Sequence, residues 1–147
     1  MAEAIFQHLT ADIDSIGTVD SAGVGSDFWL KPIDQRSVYA LYSHGITRQT
    51  REPRRICARD FLDFDYILAM DRNTLFSIEQ DRRKLPQAIE IEPVIEIFGS
   101  FSPEDVVEVR DPFFRGFEAF EATFQMLVRF SKAFLRSELR VDVDQPG

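Results

Sequence analysis

Apolar residues at the start of the chain recur at three- and four-residue spacing. Ile5, Phe6 and Leu9 fall on one face, which predicts an amphipathic helix over residues 1–9. No Ser, Thr, Asp or Asn precedes Ala2, so that helix opens without a capping side chain. Val19, between Thr18 and Asp20, leads into Ser21-Ala22-Gly23, where a short strand is expected to end in a turn. Beyond a long loop, Asp34 opens a second helix with Val38, Leu41 and Tyr42 on one side and Gly45 as its stop. A basic loop holding Arg48, Arg51, Arg54 and Arg55 then reaches Asp60, where a short polar and aromatic turn begins. The run Tyr66-Ile67-Leu68-Ala69-Met70 is apolar throughout, as expected of a strand covered on both faces.

A short helix is expected over residues 72–80, followed by a surface connection in which Pro86 and Pro93 discourage further helix. Residues 94–98 are β-branched at three of five positions and stop at Gly99, which predicts a second strand. Past a loop with Pro103 and Pro112, the residues Phe117, Phe120, Phe124, Leu127, Val128, Phe134 and Leu135 form a helical stripe. Glu118 and Glu121 near its start and Lys132, Arg136 and Arg140 near its finish complement the dipole of a long helix. Residues 140–147 lack this pattern and are expected to fray as a tail beyond a single domain of residues 1–139. Strands alternating with helices predict an α/β layer structure with a parallel sheet and right-handed crossovers.

Composition narrows the partners. With 44% hydrophobic and 29% charged residues in 147, the chain has the balance of one soluble globular domain. Its formal charge of -8 repels polyanions, so nucleic acid is not an expected partner. No apolar run approaches the roughly 18 residues of a membrane span, and the first residues lack a signal-peptide pattern, so no membrane partner and a cytoplasmic location are expected. Cys57 is the sole cysteine and the histidines His8 and His44 lie far apart, which leaves neither a disulfide framework nor metal-ligand spacing. No metal and no cofactor is expected.

Six stretches, taken in order, resemble the low-molecular-weight protein tyrosine phosphatase family. They are MAEAIFQHL, VDSAG, DQRSVYALYSHGI, RRICARDFLDFDYILAMDRNTL, IEIFGSF and VRDPFFRGFEAFEATF. The resemblance implies an open four-stranded parallel sheet flanked by helices. It also implies phosphotyrosine hydrolysis through a cysteinyl-phosphate intermediate: a loop thiolate attacks phosphorus, an aspartate protonates the departing tyrosyl oxygen, and water cleaves the phosphocysteine. The substrate it implies is a tyrosine-phosphorylated protein or a small aryl phosphate.

Residue by residue, the resemblance assigns Asp111 as general acid, because Asp111-Pro112-Phe113-Phe114 is similar to the family's Asp-Pro followed by two aromatics. On its own, Asp-Pro is also a common turn opener. Phe28 and Trp29, with Phe113 and Phe114, stand where the family has aromatic walls for the substrate ring. Asp71, at the carboxyl end of a predicted parallel strand, corresponds to the aspartate that supports the phosphate loop, and it is also a natural helix cap. Arg51 falls where the family keeps a supporting histidine.

The family's first strand and its loop of Cys, five residues, Arg would precede residue 1. Cys57 does not replace that loop: six residues on stands Asp63, a carboxylate in place of the phosphate-clamping arginine. Cys57 is expected to be a partly buried small residue. The chain is therefore expected to be an incomplete version of a longer protein, to lack the interior strand of its sheet, and to be inactive as it stands. The alternative is a phosphatase-like protein that binds a partner or phosphorylated ligand without hydrolysing it.

Overall fold

The computed structural model describes residues 1–25, 33–47, 52–86 and 91–143, and of Phe114 the backbone alone. Helix α1 (Ala2–Leu9) turns Ala4 and Ile5 into the core, and Met1 stands at its cap position with no capping hydrogen bond from its side chain. In α2 (Gln35–Ser43), the Asp34 carboxylate accepts from the Arg36 N–H, and the chain leaves past Gly45 at φ 78°, a left-handed conformation that favours glycine. The buried side of α2 is Ala40 and Leu41; Val38 and Tyr42, expected beside Leu41, face solvent. One turn of helix, α3 (Asp60–Asp63), precedes strand β1 (Tyr66–Ala69), and α4 (Arg72–Arg83) leads to strand β2 (Val94–Ile97). Helix α5 (Phe117–Phe134) continues into a π turn over Leu135–Leu139.

The strands β1 and β2 pair in parallel, with Tyr66 opposite Val94 and Ala69 opposite Ile97. They are joined through α4, the crossover that parallel pairing requires. Successive side chains alternate across this sheet. Tyr66, Leu68 and Met70 lean toward α1 and α5, while Ile67 and Ala69 pack with Phe61, Ile78 and Ile95 on the other face. Both faces of β1 are thus covered, as its unbroken apolar run predicts. The result is an α/β arrangement with a parallel sheet between helices. Residues 18–23 form no strand: among the described residues that stretch contributes only an isolated parallel bridge between Gly23 and Arg55. One apolar residue, Val19, among polar neighbours offers too little surface to bury for a strand to form there.

The larger core lies along α5. Phe120, Phe124, Leu127, Val128, Phe130 and Phe134 are buried, and so is Ser131, whose hydroxyl donates to the Leu127 carbonyl at 2.7 Å. Phe134 meets the rings of Phe6, Tyr66, Phe98 and Phe101 at centroid distances of 5.8, 4.9, 6.4 and 5.2 Å, inclined or edge to face. Val141 and Val143 also rest on this core, and the Val141 N–H donates to the Leu135 carbonyl. Residues 140–143 are docked where fraying was expected.

Candidate active site

The carboxyl end of β1 gathers the candidate catalytic residues. There Asp71 caps α4, its carboxylate accepting from the Thr74 N–H at 2.7 Å. The segment that enters from β2 is tied to the same place: the Val109 N–H donates to the Met70 carbonyl at 2.8 Å, and the Arg72 N–H donates to the Glu108 carboxylate at 3.0 Å. Asp111 follows two residues after Val109, so Asp71 and Asp111 both stand at the end of the sheet where open α/β folds bind ligands.

Asp111 is exposed and caps a single 3-10 turn, Pro112–Phe114, accepting from the Phe113 N–H at 3.0 Å. Proline at the first position of that turn fixes φ where the turn needs it and removes an amide that would have no partner there. Phe113 is 42% exposed, with the Arg36 guanidinium 5.9 Å from its ring centre. Arg36 on α2 braces the turn from behind. Its guanidinium donates to the Phe113 carbonyl and to the Arg115 carbonyl, each at 2.8 Å, and lies 4.4 Å from the centre of the Phe120 ring. Asp34 orients it with bonds of 2.8 and 3.1 Å, and that guanidinium in turn holds the Asp34 carboxyl below its ordinary pKa. Arg36 carries no signal in periodicity; the Asp34-x-Arg36 spacing at a helix start is the one feature that could have pointed to it.

Gly99, in the 3-10 turn after β2, sets how closely the 102–110 segment approaches the core. A Cβ there would fall on the Val107 carbonyl oxygen and 2.8 Å from the Phe130 ring. Glycine is the residue that fits.

Cys57 belongs to another place. It is exposed, not partly buried as expected, and lines a depression of about 250 Å³ with Arg55, Phe61, Asp81 and Lys84. Asp81 lies ten residues along α4 from Asp71, which at the helical rise is ~15 Å. The thiol is thus at the opposite end of α4 from the Asp71 and Asp111 pair. Phe28, Trp29 and Arg51 lie outside the described residues, and of Phe114 only the backbone can be placed. Among the described residues no three His, Cys, Asp or Glu side chains converge in a way that could hold a metal ion.

Residues 1–145 match the family described as low molecular weight phosphotyrosine protein phosphatase. The chain belongs to that family. The phosphatase of Sus scrofa is 34% identical over 137 residues, covering 92% of this chain and 84% of its own length. That of Schizosaccharomyces pombe is 32% identical over 144 residues, covering 93% and 86%. Among solved structures, the drosophila arginine phosphatase superposes with a TM-score of 0.80 at 32% identity, covering 92% of this chain and 86% of that one. A low molecular weight phosphotyrosine phosphatase from Vibrio cholerae gives 0.79 at 25%, covering 95% and 89%. The family is one of protein-tyrosine phosphatases, which are phosphoric monoester hydrolases. No described helix is long and apolar enough to cross a membrane.

Proposed function

We propose that this domain serves phosphotyrosine hydrolysis through a cysteinyl phosphate, with Asp111 as the general acid, and that the 147 residues by themselves hold the acid without the nucleophile. The observation that carries the first part is the placement of Asp111. It is solvent-accessible on a proline-initiated turn that is tied to the carboxyl end of β1 beside Asp71. A departing tyrosyl oxygen is a poor leaving group, and a carboxylic acid aimed at it from a fixed turn supplies the proton. Phe113, with Phe114, Phe28 and Trp29, offers aromatic surface for the substrate ring, and Asp71 supports the loop that would hold phosphate. We take residues 1–139 as the phosphatase domain and 140–147 as its tail.

The second part rests on chemistry within the sequence. Cys57 is the sole cysteine, and six residues after it stands Asp63, so no thiolate is paired with a guanidinium clamp. Asp63, itself paired with Arg59 at 2.9 Å, is a carboxylate at the sequence position where a bidentate donor would be needed. The family's sheet is read as four parallel strands, and among the described residues β1 and β2 form two of them. A non-catalytic, ligand-binding role is the second reading, and the missing thiolate and arginine pair is what favours it.

The test joins a family strand and Cys-x5-Arg loop ahead of Met1 and follows para-nitrophenyl and phenyl phosphate. The joined chain is expected to turn over both. Asp111→Asn is expected to lower kcat on phenyl phosphate by about 10²–10³-fold, and by less on the better leaving group. Equal, small effects on both substrates would remove Asp111 from the acid role. A phosphoarginine peptide belongs in the same assay, because the drosophila relative is described as an arginine phosphatase.

A further inference from the structure

We infer that Arg36 is a positioning residue for the general acid, a clamp on the Asp111 turn operated from the first turn of α2; this rests on the reading of Asp111 as the acid. A three-residue 3-10 turn has few internal bonds. Besides the Asp111 cap, a backbone bond from the Arg115 N–H to the Pro112 carbonyl at 2.9 Å closes it. Left alone, so short a turn would sample many orientations of its cap. Arg36 removes that freedom from outside. Two arms of its guanidinium reach the Phe113 and Arg115 carbonyls, which lie on either side of Phe114 and directly after the Asp111-Pro112 pair.

The clamp is itself held on its other sides. Asp34 takes the remaining edge of the guanidinium through a two-point pair, and the Phe120 ring of α5 lies 4.4 Å from its centre. A planar, five-donor fork can satisfy two carbonyls and a carboxylate while stacking on a ring; an ammonium cannot. The same Asp34 carboxylate caps α2 through the Arg36 N–H, so the helix start and the clamp share one anchor. Arg36 therefore couples α2, the acid turn and α5 into one rigid unit. Its contact with the chemistry is indirect, through the backbone that carries Asp111.

The experiment uses the 147-residue chain and reads the turn without needing turnover. The Phe113 N–H donates to the Asp111 carboxylate, so its nitrogen shift follows the ionisation of Asp111 as pH is varied, and its exchange rate reports whether the turn is closed. In Arg36→Ala, exchange at Phe113 and Arg115 is expected to rise at least tenfold and the titration of the Phe113 shift to collapse, with Phe130 in the core unchanged. Arg36→Lys keeps the charge and is expected to behave like the alanine variant. Asp34→Asn keeps a capping residue and is expected to fall between it and the native chain. Native exchange and a native titration in Arg36→Ala, or full restoration by lysine, would overturn the clamp. Failure of Asp111→Asn to impair phenyl phosphate hydrolysis in the joined chain would instead remove the acid reading and leave the clamp standing.

Discussion

Asp60 is a buried carboxylate whose charge is met from several sides. Burial pushes its pKa up, and hydrogen bonds from the Arg54 guanidinium at 2.9 and 3.0 Å and from the Cys57 N–H at 2.8 Å outweigh that, leaving it below the ordinary value. Arg54 also bonds Asp20, so one side chain joins the 19–23 segment to α3. A carboxyl depressed in the folded state stabilises it fully above the ordinary carboxylate pKa of about 3.9 and loses that contribution as pH falls through the lower folded value. Urea midpoints are therefore expected to drop below about pH 4, with a shallower drop in Asp60→Asn. Arg54→Ala, which strands the buried carboxylate, is expected to cost about 2–4 kcal/mol at pH 7 in the same measurement. His44 makes a second link of this kind, pairing with Glu121 at 2.7 Å and stacking on Phe124 at 4.0 Å. At this scale Asp34, Asp71 and Asp111 were legible as caps, because capping needs only the residue and its next few neighbours. Arg36, Arg54 and His44 were not, since each acts on residues far along the chain.

Within the elements, α5 and Gly99 carry the largest consequences. Phe130→Ala is expected to destabilise by about 3–5 kcal/mol, because the ring is fully buried and touches Phe98. Gly99→Ala is expected to cost about 1–3 kcal/mol, read from thermal unfolding, since the Val107 backbone would have to move to admit a methyl group. Phe130 lies outside the apolar stripe read from the pattern, yet it is completely enclosed; α5 is covered over a wider arc than its charged neighbours implied. The reverse holds for α2, where Val38 and Tyr42 belong to the apolar pattern and remain exposed. Periodicity names a helix reliably and its buried arc less so, because the arc depends on what packs against it. The π turn at Leu135–Leu139 and its left-handed exit at Arg140 bring Val141 and Val143 back onto the core, where the pattern looked like a loose end.

For the whole molecule, alternating strands and helices with proline and glycine between them were enough to predict an α/β layering, since each element must bury a face against another. The pairing of β1 with β2 followed from the two most apolar runs. Asp71 and Asp111 come to the same end of the sheet because β1 leads into α4 there and the segment after β2 returns to bond Met70. Long-range closure of that sort leaves no local mark, so resemblance to the family supplied what pattern could not. The central claim is the proposal that Asp111 serves as the acid while the sole cysteine of the 147 residues, Cys57, stands at the other end of α4 and accepts no phosphate. Its most direct test is intact-mass spectrometry of the purified 147-residue chain, acid-quenched after incubation with a phosphotyrosyl peptide or para-nitrophenyl phosphate. The account predicts an unmodified mass and no released phenol above buffer. Steady release together with an added phosphate on Cys57, both abolished by Cys57→Ser, would contradict it.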